Sequence, residues 1–371
     1  MATTHTYPTL TIPTTLLLLL LHYHLLPHTT SLSLVHATHE GAVQGEARAE
    51  GADDVGSGRR KELVPAMFAF GDSLIDDGNN NNLPSFAKAN YYPYGIDFAA
   101  GPTGRFSNGY TIVDEIADLL GLPLIPPYSE ASGEDQLHGV NYASAASGIL
   151  DITGRNFVGR IPFNEQIKNF ETTLDRITDN LGADAAADAI GRCIFFVGMG
   201  SNDYLNNYLM PNYDTGADTT GSSLPSSSSS SSLANSLLYN LGARKLVVSG
   251  VGPWAAYRAC SRGTRRAVAP RTLTASSSPL QLQSQVNGQR SQRQPPHAKL
   301  IYVDIYAMFT DILTSPHRFS VTDRACCGIG RNAGEITCLP FQTPCANRDD
   351  PDVVFPINIL QLANLELDPK P

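Results

Sequence analysis

The sequence predicts a three-layer α/β domain: a central parallel sheet of about five strands with helices on both faces. Three observations lead there: five short apolar runs rich in β-branched and aromatic residues, intervening stretches with helical spacing, and the alternation of the two along the chain. A strand reads as a near-continuous apolar run when both faces of its sheet are covered, which is the condition of a parallel sheet. The runs are MFAF at 67–70, LPLI at 122–125, CIFFVG at 193–198, KLVVSG at 245–250 and KLIYVDI at 299–305.

The elements follow in order. Within LTIPTTLLLLLLHYHLL the unbroken Leu16–Leu21 run is too short to cross a bilayer, which takes about 20 residues. It reads as the core of a signal peptide over residues 1–37, with Val35-His36-Ala37 as the small-x-small cleavage pattern, so the protein is expected to be secreted with no stable membrane span. Residues 38–62 are polar, rich in Gly and Ala and without periodicity, and read as a flexible leader. The folded domain is expected over residues 63–355, beginning with MFAF. Two helices are expected between the first three runs, Tyr110–Leu120 and Phe163–Leu181; in the second, Ile167, Phe170, Leu174, Ile177 and Leu181 recur at steps of three and four and form one core-facing stripe. Two regions break the alternation. Residues 216–236 contain seven consecutive serines and read as a solvated loop; residues 254–297 carry seven arginines and no acid and read as a disordered or misjoined segment.

Composition narrows the setting. With 371 residues, 42% of them apolar, the chain can bury a large core, while a net charge of −9 argues against nucleic acid as a partner. Cys326, Cys327, Cys338 and Cys345 match no zinc spacing, and in a secreted chain they read as one or two disulfides of undetermined pairing. Cys193 opens an apolar run and reads as a small buried hydrophobe.

The chemistry is announced by FAFGDSLIDDGNNNN at 68–82, which places Ser73 just after the first strand, where α/β sheets build their sites. Three further blocks follow: GRFSNGYTIVDEIA at 104–117, GVNYASAASGIL at 139–150 and VGMGSNDYLNNYL at 197–209. In this order and spacing, joined by LGARKLVVSGVGP at 241–253 and the segment ending in PCANRD at 344–349, they resemble the plant GDSL-type esterase/lipase family, a branch of the SGNH hydrolases. The resemblance implies a flavodoxin-like SGNH fold and a serine hydrolase of acyl esters or lipids that uses no metal or organic cofactor. It assigns Ser73 as the nucleophile. The oxyanion hole would be built from the Ser73 N–H, Gly148 and the Asn202 side chain, with a neighbour's N–H as the alternative to Gly148 because Ala145 and Ala146 stand close by. Asp76, Asp77 and Asn79–Asn82 are expected to organise the loop after the nucleophile, and Arg105-Phe106-Ser107-Asn108 to shape the rim.

A serine needs a base, and the family keeps its base in a carboxy-terminal Asp-x-x-His block soon after a run like PCANRD. Here residues 350–371 contain no histidine, and the tail 356–371 departs from the family pattern. Beyond the signal peptide only His39, His138, His297 and His317 remain; Asp135-Gln136-Leu137-His138 spells the motif literally but lies upstream of the third block and reads as coincidence. The chain is therefore expected to be a very weak esterase at best. Two alternatives stand beside that reading: a secreted acyl-ester-binding protein without catalysis, and the product of a truncated gene model without stable function.

Overall fold

Met67–Gly71 is buried at all five positions, as a strand in the middle of a doubly covered sheet must be, and forms β1. The computed structural model describes residues 62–208, 236–252, 298–308, 326–329 and 338–346. Four strands join β1 in parallel: β2 (Gly139–Asn141), β3 (Ile194–Gly198), β4 (Lys245–Ser249) and β5 (Lys299–Val303), in the order β2-β1-β3-β4-β5. The signal peptide, nearly all of the leader and of the serine-rich stretch, the arginine-rich segment, the tail, His39, His297 and His317 lie outside the described residues.

Side chains of β1 alternate between two cores because successive Cβ atoms point to opposite faces. Phe68 and Phe70 face one helical layer, where they meet Phe163, Ile167, Phe170 and Ile177 of α3 (Phe163–Leu181) and Ala186 and Ile190 of α4 (Ala183–Arg192). Met67 and Ala69 face the other, with Val113, Ile116 and Ala117 of α1 (Ile112–Leu119). The first core is aromatic: Phe68 lies 5.1 Å from Phe170, and Phe70 stacks on Tyr142 at 5.0 Å. Each such pair contributes about 0.5–1.5 kcal/mol beyond the burial of its area. Helix α3 has the bounds its periodicity predicts; Ile167, Phe170 and Ile177 are buried, whereas Leu181 in the last turn is 44% exposed. Helix α1 opens with a capping box, Thr111 and Asp114 satisfying one another's backbone N–H.

One expected strand is absent. LPLI at 122–125 joins no ladder, and the place beside β1 goes to β2. Pro123 has no N–H to give a ladder, and Pro126 and Pro127 follow at once. Leu122 and Ile125 are still buried against α1, so their apolar character reflects core packing without strand pairing. The Pro126 carbonyl accepts the Asn141 N–H, which leaves this segment as a one-bridge extension beyond β2.

The cysteine cluster forms two bridges, Cys326–Cys345 and Cys327–Cys338, and Cys193 is a free thiol 2% exposed in the α3 core. Among the described residues no helix is long and apolar enough to cross a membrane.

Candidate active site

Strand order decides where a site forms. The chain crosses from β1 outward to β2 and then back over β1 to β3, so the segments leaving the carboxyl ends of β1 and β3 diverge and open a crevice between them. Ser73 follows β1 by two residues, and Asn202 lies in α5 (Ser201–Asp203) just after β3. Gly148 belongs to the segment leaving β2.

The nucleophile segment turns sharply. The Asp72 carbonyl accepts from the Ile75 and Asp76 N–H groups, and the Asp72 carboxylate from the Leu74 N–H at 3.1 Å, which leaves Ser73 half-buried at the head of the turn. Gly71 fits here for a steric reason: a Cβ would stand 2.5 Å from Ile75 Cδ1 and 2.7 Å from the Gly198 carbonyl. Burial pushes the Asp72 carboxyl up to about 7, and the nearby Asp203 and Asp76 carboxylates push the same way.

Asp76 ties the turn to the third block. Its carboxylate accepts from the N–H groups of Gly78, Asn79 and Ala145 at 2.8–2.9 Å, and burial still raises it to about 6. Asn79 donates to the carbonyls of Asn141 and Ala143, and Asn80 to those of Ala87 and Ala145. The asparagine run thus builds the loop, as its composition suggests. Asp77 differs: it is 1% exposed, neither carboxylate oxygen is hydrogen-bonded, and its nearest cation, Arg105 at 3.6 Å, is held bidentately by Asp114 at 2.7 and 2.8 Å. Burial raises the Asp77 carboxyl well above the usual range against the pull of Arg105.

The segments after β2 and β3 interlock. The Asp203 carboxylate accepts from the N–H groups of Ile149 and Leu150 at 2.8 and 3.0 Å and from the Thr153 hydroxyl at 2.7 Å. That carboxylate excludes a side chain at residue 148, where a Cβ would stand 2.6 Å from Asp203 and 2.5 Å from Thr153 Cγ2. Asn202 is 5% exposed, donates from Nδ2 to the Ser147 carbonyl at 2.9 Å, and accepts at Oδ1 from Asn206 Nδ2 at 2.6 Å. Asn207 donates to the Thr153 hydroxyl at 3.2 Å.

The loop carrying Gly148 is in turn bonded to the nucleophile strand. Ser147 Oγ has its one hydrogen between the Ser144 carbonyl at 2.6 Å and the Gly71 carbonyl at 3.1 Å, and the fully buried Gln166 of α3 bonds both backbone groups of Gly71 as well as Ser147 Oγ. So the segments carrying Ser73, Gly148 and Asn202 meet in one network. Two of its members escape sequence reasoning. Asn206 had a legible signal, because residues 202, 203, 206 and 207 share one helical face; Gln166 had none, being one polar residue within a helix.

His138 is the sole histidine among the described residues, and it stands at the wrong end of the sheet. It closes α2 (Asp135–His138) immediately before Gly139, which pairs with Met67 at the amino end of β1. The length of β1 separates it from the Ser73 turn, about 13 Å at roughly 3.3 Å per residue. Its ring is 43% exposed and faces Glu62 at 3.9 Å. The Asp-x-x-His spelling at 135–138 therefore supplies no base to Ser73.

Comparison with known proteins adds the lineage. Residues 67–356 match the model of the GDSL-like lipase/acylhydrolase family. The Arabidopsis thaliana protein GDSL esterase/lipase At1g71691 is 50% identical over 342 residues, covering 82% of this chain and 86% of the relative. GDSL esterase/lipase At1g29670 from the same plant is 47% identical over 298 residues, covering 77% and 80%, and GDSL esterase/lipase 7 is 41% identical over 311, covering 80% and 85%.

Proposed function

The chain belongs to the GDSL-like lipase/acylhydrolase family, and from that premise we propose that it is a secreted serine hydrolase that acts on the carboxylic ester bonds of acyl esters or lipids. The observation that carries the reading is the meeting of the segments after β1, β2 and β3 at the switch-point crevice, with the Ser73 turn, Gly148 and Asn202 held by shared hydrogen bonds.

The steps follow from the residues. Ser73 Oγ attacks the ester carbonyl carbon; its N–H, the Gly148 N–H and Asn202 Nδ2 receive the oxygen as it becomes negative. The alcohol leaves, and water releases the acid from the acyl-serine. Donors fixed before charge develops need no reorganisation, and losing one costs about 10²–10³-fold in rate. Residues 318–371 contain no histidine. Loss of a triad base costs on the order of 10⁶-fold in turnover in subtilisin, and about 10³–10⁴-fold over water survives from the oxyanion hole and binding. Slow turnover is the expectation.

Ester hydrolysis measured with short and long p-nitrophenyl acyl esters, and covalent labelling of Ser73 by a fluorophosphonate, test the reading. Slow hydrolysis and labelling, both abolished by Ser73→Ala, support it; rates equal in parent and Ser73→Ala end it. The absence of histidine from residues 318–371 favours a second reading, acyl-ester binding without turnover. Binding of a long-chain ester that survives Ser73→Ala, with no hydrolysis by the parent, distinguishes it.

A further inference from the structure

We propose that Asn206 is a positioning residue that holds the Asn202 amide with its nitrogen toward the crevice; the proposal rests on the reading of Asn202 as an oxyanion donor. An asparagine amide has two ends of nearly equal size and opposite function. Its NH₂ stabilises a developing oxyanion, and its oxygen repels one. Rotation by half a turn exchanges them, so such a donor is useful only when the surroundings fix its orientation.

The surroundings here do so at both ends. Asn202 Nδ2 gives one hydrogen to the Ser147 carbonyl at 2.9 Å, and Asn202 Oδ1 takes a hydrogen from Asn206 Nδ2 at 2.6 Å. Both contacts require the same orientation, with Oδ1 turned back toward Asn206. Nδ2 carries two hydrogens and the Ser147 carbonyl takes one, so on the oxyanion reading of Asn202 it is the other that serves the developing oxygen. A hydrogen bond received at Oδ1 also polarises the amide and strengthens its N–H as a donor. Backbone geometry makes the contact. Helix α5 runs into a wide turn over Tyr204–Tyr208, and Asn206, with φ −114° and ψ 18°, leaves the helical path there. Four residues after Asn202, it stands over the same face and is half-buried, so replacing it does not open the core. The adjacent contacts between the segments after β2 and β3, Asp203 with Ile149, Leu150 and Thr153 and Asn207 with Thr153, are made without its side chain.

The substitution that separates orientation from packing is Asn206→Asp, which keeps size and shape but places a carboxylate against Oδ1. The Asn202 amide then gains by turning its NH₂ toward residue 206 and its oxygen toward the crevice. The readout is the rate at which a fluorophosphonate labels the full-length chain, followed by intact mass. In that step a Ser73 Oγ–P bond forms, the P–F bond breaks, fluoride leaves and the hydroxyl proton passes to solvent, while the phosphoryl oxygen occupies the oxyanion position.

Asn202→Ala is expected to slow labelling about 10²–10³-fold, and Asn206→Asp about 10–100-fold with the melting temperature within about 2 °C of the parent. The double variant is expected to label no more than about twofold slower than Asn202→Ala alone, since Asn206 acts through that amide. Lowering the pH through the titration of the introduced carboxyl should return part of the Asn206→Asp rate relative to the parent, because a protonated carboxyl again donates to Oδ1. Parental labelling by Asn206→Asp beside a slow Asn202→Ala, or losses that multiply in the double variant, overturns the proposal alone. Parental labelling by Asn202→Ala overturns the oxyanion reading, and the proposal with it; no labelling above Ser73→Ala overturns the nucleophile assignment and both inferences that rest on it.

Discussion

Gln166→Met would remove an amide that stands in for a strand. Beside β1 the ladder with β2 ends at Ala69 and Asn141, two residues before Gly71. From there Gln166 supplies what a neighbouring peptide would: its Oε1 accepts the Gly71 N–H at 3.0 Å, and its Nε2 donates to the Gly71 carbonyl, Ser147 Oγ and the Ile161 carbonyl at 2.9–3.2 Å. Methionine fills the same volume and makes none of these bonds. The Gly71 carbonyl and Ser147 Oγ keep other partners, but the Gly71 N–H is orphaned, at about 1–3 kcal/mol; the two lost donor hydrogens add about 0.5–1.5 kcal/mol each. The sum is about 2–6 kcal/mol, or at least about 4 °C in melting temperature at roughly 2 °C per kcal/mol for a domain of this size. Gln166→Glu sharpens the test. It keeps the acceptor for Gly71, but when ionised it sets a charge against two carbonyl oxygens in a fully buried place, so its folded pKa rises above the unfolded value. Its relative stability is then retained below about pH 4 and lost as pH rises through the folded pKa. Urea unfolding of both variants at pH 5 and pH 8 is the assay. A Gln166→Met midpoint equal to the parent's, or a Gln166→Glu deficit independent of pH, would refute the reasoning.

Other expectations follow from single contacts. Gly148→Ala places a Cβ 2.6 Å from the Asp203 carboxylate and must displace it from Ile149 and Leu150, so both the melting temperature and fluorophosphonate labelling should fall; retention of both would show that the loop yields freely. Asp72, whose folded pKa is raised from 3.8 to about 7, contributes stability below about pH 4 that is lost as pH rises toward 7, up to about 4 kcal/mol at 1.36 kcal/mol per unit. Asp72→Asn should therefore gain on the parent between pH 5 and pH 8, and parallel pH profiles would contradict this. Asp77→Asn removes a buried charge without a hydrogen bond and should stabilise the fold at pH 8 by on the order of 1–3 kcal/mol, with less gain at pH 5; a loss of stability at pH 8 would show that Arg105 serves Asp77 more than its 3.6 Å separation indicates.

Four of the five expected strands were legible because a covered parallel strand has to be apolar throughout, and MFAF, CIFFVG, KLVVSG and KLIYVDI are. LPLI failed for the converse reason. Apolar content reports burial, and burial does not require a ladder; Pro123, Pro126 and Pro127 deny this stretch one. Strand order was not readable from any run. It comes from handed crossovers, and it alone shows that the carboxyl ends of β1 and β3, and not any other pair, flank the crevice.

The candidate site was legible as residue types and illegible as partnerships. Ser73, Gly148 and Asn202 stand in motifs, but Gly148 shows why a motif residue needs a structure: its lack of a side chain is explained by the carboxylate of Asp203, 55 positions away, pressed against it. His138 shows the opposite error. The spelling Asp-x-x-His runs directly into the first residue of β2, and parallel register then fixes which end of the sheet it occupies. Because Gly139 pairs with Met67, no side-chain rotation brings the imidazole to a serine beyond Gly71. Any base for Ser73 has to come from a segment leaving the carboxyl edge of the sheet, which is the edge toward which the chain runs after β5 (Lys299–Val303). A histidine that restores fast turnover should therefore act when placed in a segment leaving the carboxyl edge, such as the sequence following β5, and have no effect at position 138, immediately before β2.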